Sequence, residues 1–189
     1  MLRCPWCGDD PLYVKYHDEE WGVPVYSDQR HFEFLVLESA QAGLSWLTIL
    51  RRREDYRRIY EDFDPFKVAR FDDTKIEEMM QDKRIIRNRL KIESSINNAR
   101  RYLEVCDMFG SFSNYLWNFV DGKPLIGHWE DISEIPAQTS LSEQMSRDLK
   151  KRGFKFIGPT IIYSHLQATG LINDHLVSCF RYQELVSHR

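Results

Sequence analysis

Apolar residues along this chain recur three and four apart nearly from end to end, the spacing of an amphipathic helix. Phe32, Leu35 and Val36 fall on one face of a segment that Ser27 or Asp28 can cap, and Phe32 to Leu44 forms an apolar-rich helical stretch. Asp64-Pro65 has the order of an N-cap followed by an N1 proline. Thr74 with Glu77, and Ser140 with Glu143, have the spacing of capping boxes. Gly110, Gly122, Gly153 and Gly170 each stand where a glycine would close a periodic segment. Sustained apolar-polar alternation, the mark of a half-buried strand, does not occur. The pattern predicts an all-α chain of about eight or more helices joined by short connections. Residues 121 to 139, with Gly122, Pro124, Gly127 and Pro136, are the longest irregular stretch and could separate two helical lobes of one unit spanning residues 1 to 189.

A chain of 189 residues can bury a substantial core. It has no apolar run long enough to span a bilayer and no charged-then-apolar leader, which predicts a cytoplasmic protein with no membrane partner. Its formal net charge of -3 argues against a protein that coats nucleic acid indiscriminately, while leaving room for a local basic face. Basic residues cluster at Arg51-Arg52-Arg53 with Arg57-Arg58, from Arg84 to Lys91, and from Arg147 to Lys155. Each cluster by itself is what a solvated helix face presents.

In a reducing compartment the four cysteines point to metal or burial rather than to disulfides. Cys4 and His17 near one end, with His175 and Cys179 near the other, are the residue types of a closed tetrahedral zinc site. The spacing His175-x3-Cys179 would place two ligands on one face of a helical turn. Four protein ligands leave no open position, so such a zinc would tie the termini together and take no part in chemistry. The alternative is two surface histidines and two buried thiols. Cys4-Pro5-Trp6-Cys7 has redox-motif spacing but no preceding strand, and Cys7 could replace one of the four ligands.

Residues 141 to 170 have the pattern helix, hairpin, helix. Gly153-Phe154-Lys155-Phe156-Ile157-Gly158-Pro159 lies between the helical stretches Leu141 to Arg152 and Thr160 to Thr169. Gly158 would let backbone amides approach an anion at a helix N-terminus, and Lys150, Lys151, Arg152 and Lys155 bring positive charge there. This makes a seat for a DNA phosphate, or else a tight turn between packed helices. Trp6, Tyr13, Tyr16, Trp21 and Trp46 crowd the first quarter of the chain around Glu38. Such residues are ordinarily core and solvated helix surface. Together they could sandwich a flat ligand and offer one hydrogen-bond acceptor to its edge.

A set of motifs in order carries a resemblance. These are Cys4, Asp10-Pro11-Leu12-Tyr13, Tyr16-His17-Asp18, Glu20-Trp21-Gly22-Val23-Pro24, Leu37-Glu38 and Gln41-Ala42-Gly43-Leu44-Ser45-Trp46. They continue with Ile85-Ile86-Arg87, Arg89, Lys91-Ile92, Asn98-Ala99-Arg100, Arg152-Gly153-Phe154-Lys155-Phe156 and Asn173-Asp174-His175. Over nearly its whole length the chain resembles the 3-methyladenine DNA glycosylase I family. The resemblance implies a helix-hairpin-helix glycosylase fold, with one structural Zn²⁺ held by Cys4, His17, His175 and Cys179, and Cys7 left as a bystander. It implies a monomeric enzyme that flips an N3-methylated adenine out of double-stranded alkylated DNA and releases the free base. Glu38 would read the adenine edge, Trp46 and Tyr16 would stack or wall the base, and Trp6, Tyr13 and Trp21 would complete the pocket. Gly153, Lys155, Gly158 and Thr160 of the hairpin would grip the DNA backbone.

Two departures from the broader superfamily sharpen this expectation. Relatives that also cut the strand carry a lysine after the hairpin glycines, where this chain has Thr160, so an abasic site is the expected product. Where many relatives carry a catalytic aspartate this chain has Asn173, followed by Asp174, which is expected to cap a helix bearing His175. No strong general base is therefore expected. A rival of another class is a zinc-stapled module that binds damaged DNA without cleaving it.

Overall fold

The computed structural model describes residues 1 to 187. Helices α1 (Pro11–Glu19), α2 (Asp28–Gln41), α3 (Trp46–Leu50), α4 (Arg53–Ile59), α5 (Pro65–Val68) and α6 (Asp73–Gln81) form the first half. Helices α7 (Arg89–Phe109), α8 (Phe112–Trp117), α9 (Ser140–Lys151), α10 (Pro159–Ala168) and α11 (Phe180–Ser187) follow. The protein is thus mostly helical, as the periodicity requires. Strands β1 (Leu125–Ile126) and β2 (Ile172–Asn173) pair in parallel, Leu125 opposite Ile172 and Ile126 opposite Asn173. Strands of two residues are too short to show alternation, which is why the sequence gives no sign of them.

Helices begin where a polar side chain can take up their orphan amides. Asp10 accepts from the Leu12 and Tyr13 amides and Ser27 from that of Arg30; Asp64 ahead of Pro65 and Asn88 cap in the same way. Two expected boxes shift. Asp72, not Thr74, caps α6, because an aspartate two residues earlier reaches the Lys75 amide first. Thr139, not Ser140, caps α9, in a reciprocal box with Ser142. Helix α2 ends at Gln41 rather than Leu44, since Gly43 turns the chain at φ 83°. The Lys91 ammonium donates to the carbonyls of Ala40 and Ala42, so a cation meets the negative end of the α2 dipole.

Helix α2 runs through the interior, with every residue from His31 to Ala40 buried. It packs against α3, α4, α7, α8 and α10. Tyr102 of α7 stacks on Phe112 of α8 with centroids 4.0 Å apart. Asp28, on the first turn of α2, accepts from the Phe112 and Ser113 amides and so anchors the start of α8. Gly170, at φ 69°, lets the end of α10 lie against Val23 and Pro24, since a Cβ there would meet backbone atoms at 2.4 Å. That approach is sealed by the Gly22 amide bonding to the Gln167 carbonyl and the Val25 amide to that of Thr169.

Asp28→Ala leaves the Phe112 and Ser113 amides without their acceptor. Urea unfolding is expected to show a loss of about 1–3 kcal/mol, as for orphaned buried donors.

Candidate active site and metal centre

Several elements converge on one cavity of about 310 Å³. Helix α1 and the 3₁₀ turn Pro5–Cys7 supply Trp6, Tyr13 and Tyr16, with Trp21 just beyond α1. Helix α2 supplies Glu38, and the start of α3 supplies Trp46. The expected aromatic residues therefore all meet around the expected carboxyl. Trp6 packs against Tyr13 at 5.1 Å and edge-on to Trp21 at 5.0 Å, and Tyr16 against Trp46 at 5.6 Å. The cavity also takes Gln41, Ile132, Ile135, Ser164, Gln167 and Ala168. Gln41 ends α2 and belongs to the motif string, but the sequence pattern gave no signal for the other five, because they come from α10 and from the irregular stretch before α9. A smaller neighbouring cavity shares Glu38, Gln41 and Ser164 and reaches Thr160 at the start of α10.

Behind Trp46 lies Phe34, stacked at an interplanar angle of 15°. The Arg30 and Arg53 guanidinium groups sit 5.4 and 5.5 Å from its ring centre. Arg53 is buried between Glu33 and Glu20, and Arg57 also reaches Glu33. Two members of the first basic cluster are thus spent on internal ion pairs rather than on a nucleic-acid face. Arg52 likewise donates to the Lys83 and Arg84 carbonyls.

Glu38 is 4 % exposed. Its Oε2 lies 2.9 Å from Nδ1 of His165 on α10, and its Oε1 is buried with no hydrogen-bond partner among the described residues. Burial without a countercharge holds the Glu38 carboxyl well above the usual range. The Tyr16 hydroxyl is raised by burial first and then by its proximity to Glu38. Burial pushes His165 down to about 3, and burial followed by the field of His165 pushes His31 down to about 3. His31 and His165 carried no recognisable motif, and only the packing of α2 against α10 brings His165 to both His31 and Glu38.

Cys4, His17, His175 and Cys179 are all buried, and their donor atoms lie within 4.8 Å of one another. The Cys179 sulfur is 3.5 Å from both His17 Nε2 and His175 Nδ1, and the Cys4 sulfur is 3.5 Å from His175 Nδ1. Tetrahedral zinc, with about 2.3 Å to sulfur and about 2.0 Å to nitrogen, requires neighbouring S and N atoms to lie about 3.5 Å apart, so the donor set fits. The outer ring nitrogens are oriented as metal-bound imidazoles need: His17 Nδ1 faces Asp18 at 2.8 Å and His175 Nε2 the Trp21 carbonyl at 2.9 Å. Cys7 stands outside the cluster, its thiol donating to the Cys4 carbonyl. His175 and Cys179 lie in a turn, not on a helix as their spacing suggested. Asp174 accordingly caps no helix. It is buried and accepts from Trp129 Nε1, Tyr163 Oη and Gln167 Nε2, while Asn173 accepts from the His175 amide.

Helices α9 and α10 flank the turn from Arg152 to Gly158, within one residue of the expected bounds. Gly153 turns at φ 88°, and Phe156 takes φ 54° with its ring exposed. Asn98 of α7 braces the turn, accepting from the Lys155 amide and donating to the Lys155 carbonyl. Gly158 is the residue preceding α10, where added volume at its Cα position meets nothing within 4 Å. Lys155, Gly153 and Thr160 are exposed beside it.

A helical scaffold thus carries an aromatic pocket with a buried carboxyl in its wall and an open helix N-terminus nearby, the arrangement of a helical protein able to receive a flat ligand beside an anion seat. Comparison with known proteins narrows this. A family model described as methyladenine glycosylase matches residues 6 to 182. The chain is 49% identical over 182 residues to DNA-3-methyladenine glycosylase 1 of Escherichia coli (strain K12), covering 96% of this chain and 97% of that one. It is 44% identical over 177 residues to the DNA-3-methyladenine glycosylase of Haemophilus influenzae, covering 94% and 96%. A crystal structure of a tyrosine-to-phenylalanine variant of a 3-methyladenine DNA glycosylase I in complex with 3-methyladenine superposes with a TM-score of 0.92 at 41% identity, covering 95% of this chain and 97% of that one. The enzyme from Staphylococcus aureus superposes with a TM-score of 0.91 at 42% identity, covering 94% and 95%. The chain belongs to the methyladenine glycosylase family.

Cys179→Ala is expected to lower zinc content, read by elemental analysis, and to lower the melting temperature by several degrees or more, as loss of a folding-coupled metal should. Unfolding should also respond to pH with a definite sign. His31 and His165 have folded pKa values below their unfolded ones, so the stability they contribute is present above about pH 6.5 and is lost as pH falls. Glu38 has the opposite sign, since it is raised in the folded state and releases its proton on unfolding above about pH 4.3. Between about pH 5 and 6 these three groups take up two protons and release one. Their net contribution makes stability rise with pH, most steeply near pH 5 and less so towards pH 6, measurable from urea midpoints.

Proposed function

We propose that the protein is a monofunctional glycosylase that hydrolyses the N-glycosidic bond of 3-methyladenine in alkylated DNA and leaves an abasic site. The observation that carries this reading is the unpartnered Oε1 of Glu38, a buried acceptor at the end of an aromatic pocket. A buried polar atom without a partner costs free energy unless a ligand supplies the missing donor. The exocyclic amino group of adenine is such a donor. The relative solved with 3-methyladenine bound supports the same ligand here.

The base must leave the duplex to reach this pocket, at a cost of about a few kcal/mol. In this reading α9, the turn and α10 act as a helix-hairpin-helix. The open amides beside Gly158 and the side chains of Lys155 and Thr160 hold a backbone phosphate while the nucleotide swings out. Proximity of the second cavity, which reaches Thr160, supports a path from phosphate seat to pocket. Trp46 and Tyr16 wall the base, and Trp6, Tyr13 and Trp21 close the far side.

Methylation at N3 makes the base cationic, so it stacks well on electron-rich rings and departs as a neutral molecule. Little acid assistance is then needed. Positive charge builds on the sugar as the bond breaks, as in other glycosyl transfers. Asp174 is committed to three hydrogen-bond donors, which favours a mechanism without a strong general base. Thr160 follows the hairpin glycine and carries no amine, in keeping with hydrolysis rather than strand cleavage.

The zinc in this proposal is structural: Cys4, His17, His175 and Cys179 would hold it and join the two ends of the chain. Its contribution is folding free energy and a fixed position for the aromatic wall.

Single-turnover release of free base from methylated DNA tests the assignment, with 3-methyladenine and 7-methylguanine resolved by chromatography. Wild type is expected to release 3-methyladenine. Glu38→Ala is expected to lower that rate by about 100-fold or more, the loss of a buried polar recognition group, while DNA affinity changes little. Folded, zinc-loaded wild type that binds methylated DNA but releases no base would favour the non-catalytic binding module instead.

A further inference from the structure

Beyond the pocket lies a row of buried hydrogen bonds with only one consistent direction. The Val25 carbonyl, which can only accept, lies 3.0 Å from His31 Nε2. His31 Nδ1 lies 3.3 Å from His165 Nε2, and His165 Nδ1 lies 2.9 Å from Glu38 Oε2. If both rings are neutral, the carbonyl fixes every proton. His31 must carry its proton on Nε2, so its Nδ1 is bare and accepts from His165 Nε2–H. His165 Nδ1 is then bare as well, and the atom facing it must donate. The only donor Glu38 can offer is the O–H of a protonated carboxylic acid. The reverse order would require an imidazolium in a site where both histidines are 0–1 % exposed.

We propose that His31 and His165 are positioning residues that hold Glu38 as a neutral carboxylic acid, its proton on Oε2, and leave Oε1 as a pure acceptor facing the pocket. This deepens the glycosylase reading and rests on it only for the identity of the base that meets Oε1. Burial of all three groups, which raises Glu38 and lowers both histidines, acts in the same direction. Other charged or titratable groups acting on the row are few. The Tyr16 hydroxyl on α1 interacts with Glu38 and Asp28 on α2 with His31, while Lys91 on α7 is held at the carbonyls of Ala40 and Ala42.

The arrangement matters for the reaction. An ionised Glu38 would bind the cationic base of the substrate more tightly than the neutral base it becomes, which stabilises the ground state and slows bond cleavage. A neutral acid avoids that penalty. Its Oε1 still accepts from an amino group and sets lone pair against lone pair when a keto oxygen takes that place, which selects an amino-bearing purine edge.

The test reads proton positions directly in the free, zinc-loaded protein. Side-chain ¹⁵N NMR near neutral pH is expected to show both His31 and His165 neutral, protonated on Nε2 and bare on Nδ1. Infrared difference spectra should contain the carbonyl band of a protonated carboxylic acid that is absent in Glu38→Ala. A proton on His165 Nδ1, or no such band, overturns the proposal whatever the enzyme's activity. Binding of free 3-methyladenine, followed by tryptophan fluorescence, supplies a second readout. For His165→Phe, which removes the acceptor of the Glu38 proton, Kd is expected to rise about tenfold and to depend on pH where that of the wild type is flat. His165→Gln, whose amide can both accept and donate, should restore affinity. A Kd and pH profile unchanged in His165→Phe would also overturn it.

Discussion

A carboxyl group buried without a countercharge is the constraint on which this structure turns. Glu38 sits near the end of α2, whose residues from His31 to Ala40 are all buried, and among the described residues its hydrogen-bond partner is one imidazole. Such a group is tolerable only when neutral or when every lone pair is used, and here one oxygen is left open to the pocket. The crossing of α2 with α10 exists at this point to bring His165 to Oε2. Gly170 and the bonds from the Gly22 and Val25 amides to the Gln167 and Thr169 carbonyls at the end of α10 fix how close that crossing is. The cavity is thus a by-product of how two helices meet over a polar atom, and its chemistry is inherited from that meeting.

The wall of the pocket depends on the two ends of the chain. Trp6 packs against His17 at 5.2 Å and Trp21 edge-on to His175 at 4.6 Å, so two rings that line the cavity on one side lie on the metal-type cluster on the other. A shift of the termini would move the wall. Ligation of one metal ion by these four side chains, drawn from residues 4 to 179, would link folding of the whole chain to the width of the pocket.

A division of labour among charges is equally plain. Arg53 and Arg57 look on paper like part of a DNA-binding run, yet they neutralise Glu33 and Glu20 behind Phe34 and keep Trp46 backed by a rigid layer. Lys91 closes the end of α2, and Asn98 holds the turn between α9 and α10. These four side chains serve the scaffold.

Periodicity, caps and glycine placement determined the helical class of this chain and most helix ends, because those depend on contacts within a few residues. The motif string from Cys4 to His175 determined the family, and residue chemistry singled out Glu38, its aromatic neighbours and the four metal-type ligands. Tertiary structure alone decided the rest. His31 and His165 lie 134 residues apart and become partners only through packing of α2 on α10. Asp174, whose type and place suggested a helix cap, proved to be a buried acceptor for Trp129, Tyr163 and Gln167. The parallel pair β1 and β2 exists because two distant backbone segments meet with unpaired amides and carbonyls. Local rules fix what a residue can do, while hydrogen-bond partners drawn from far along the chain fix what it does.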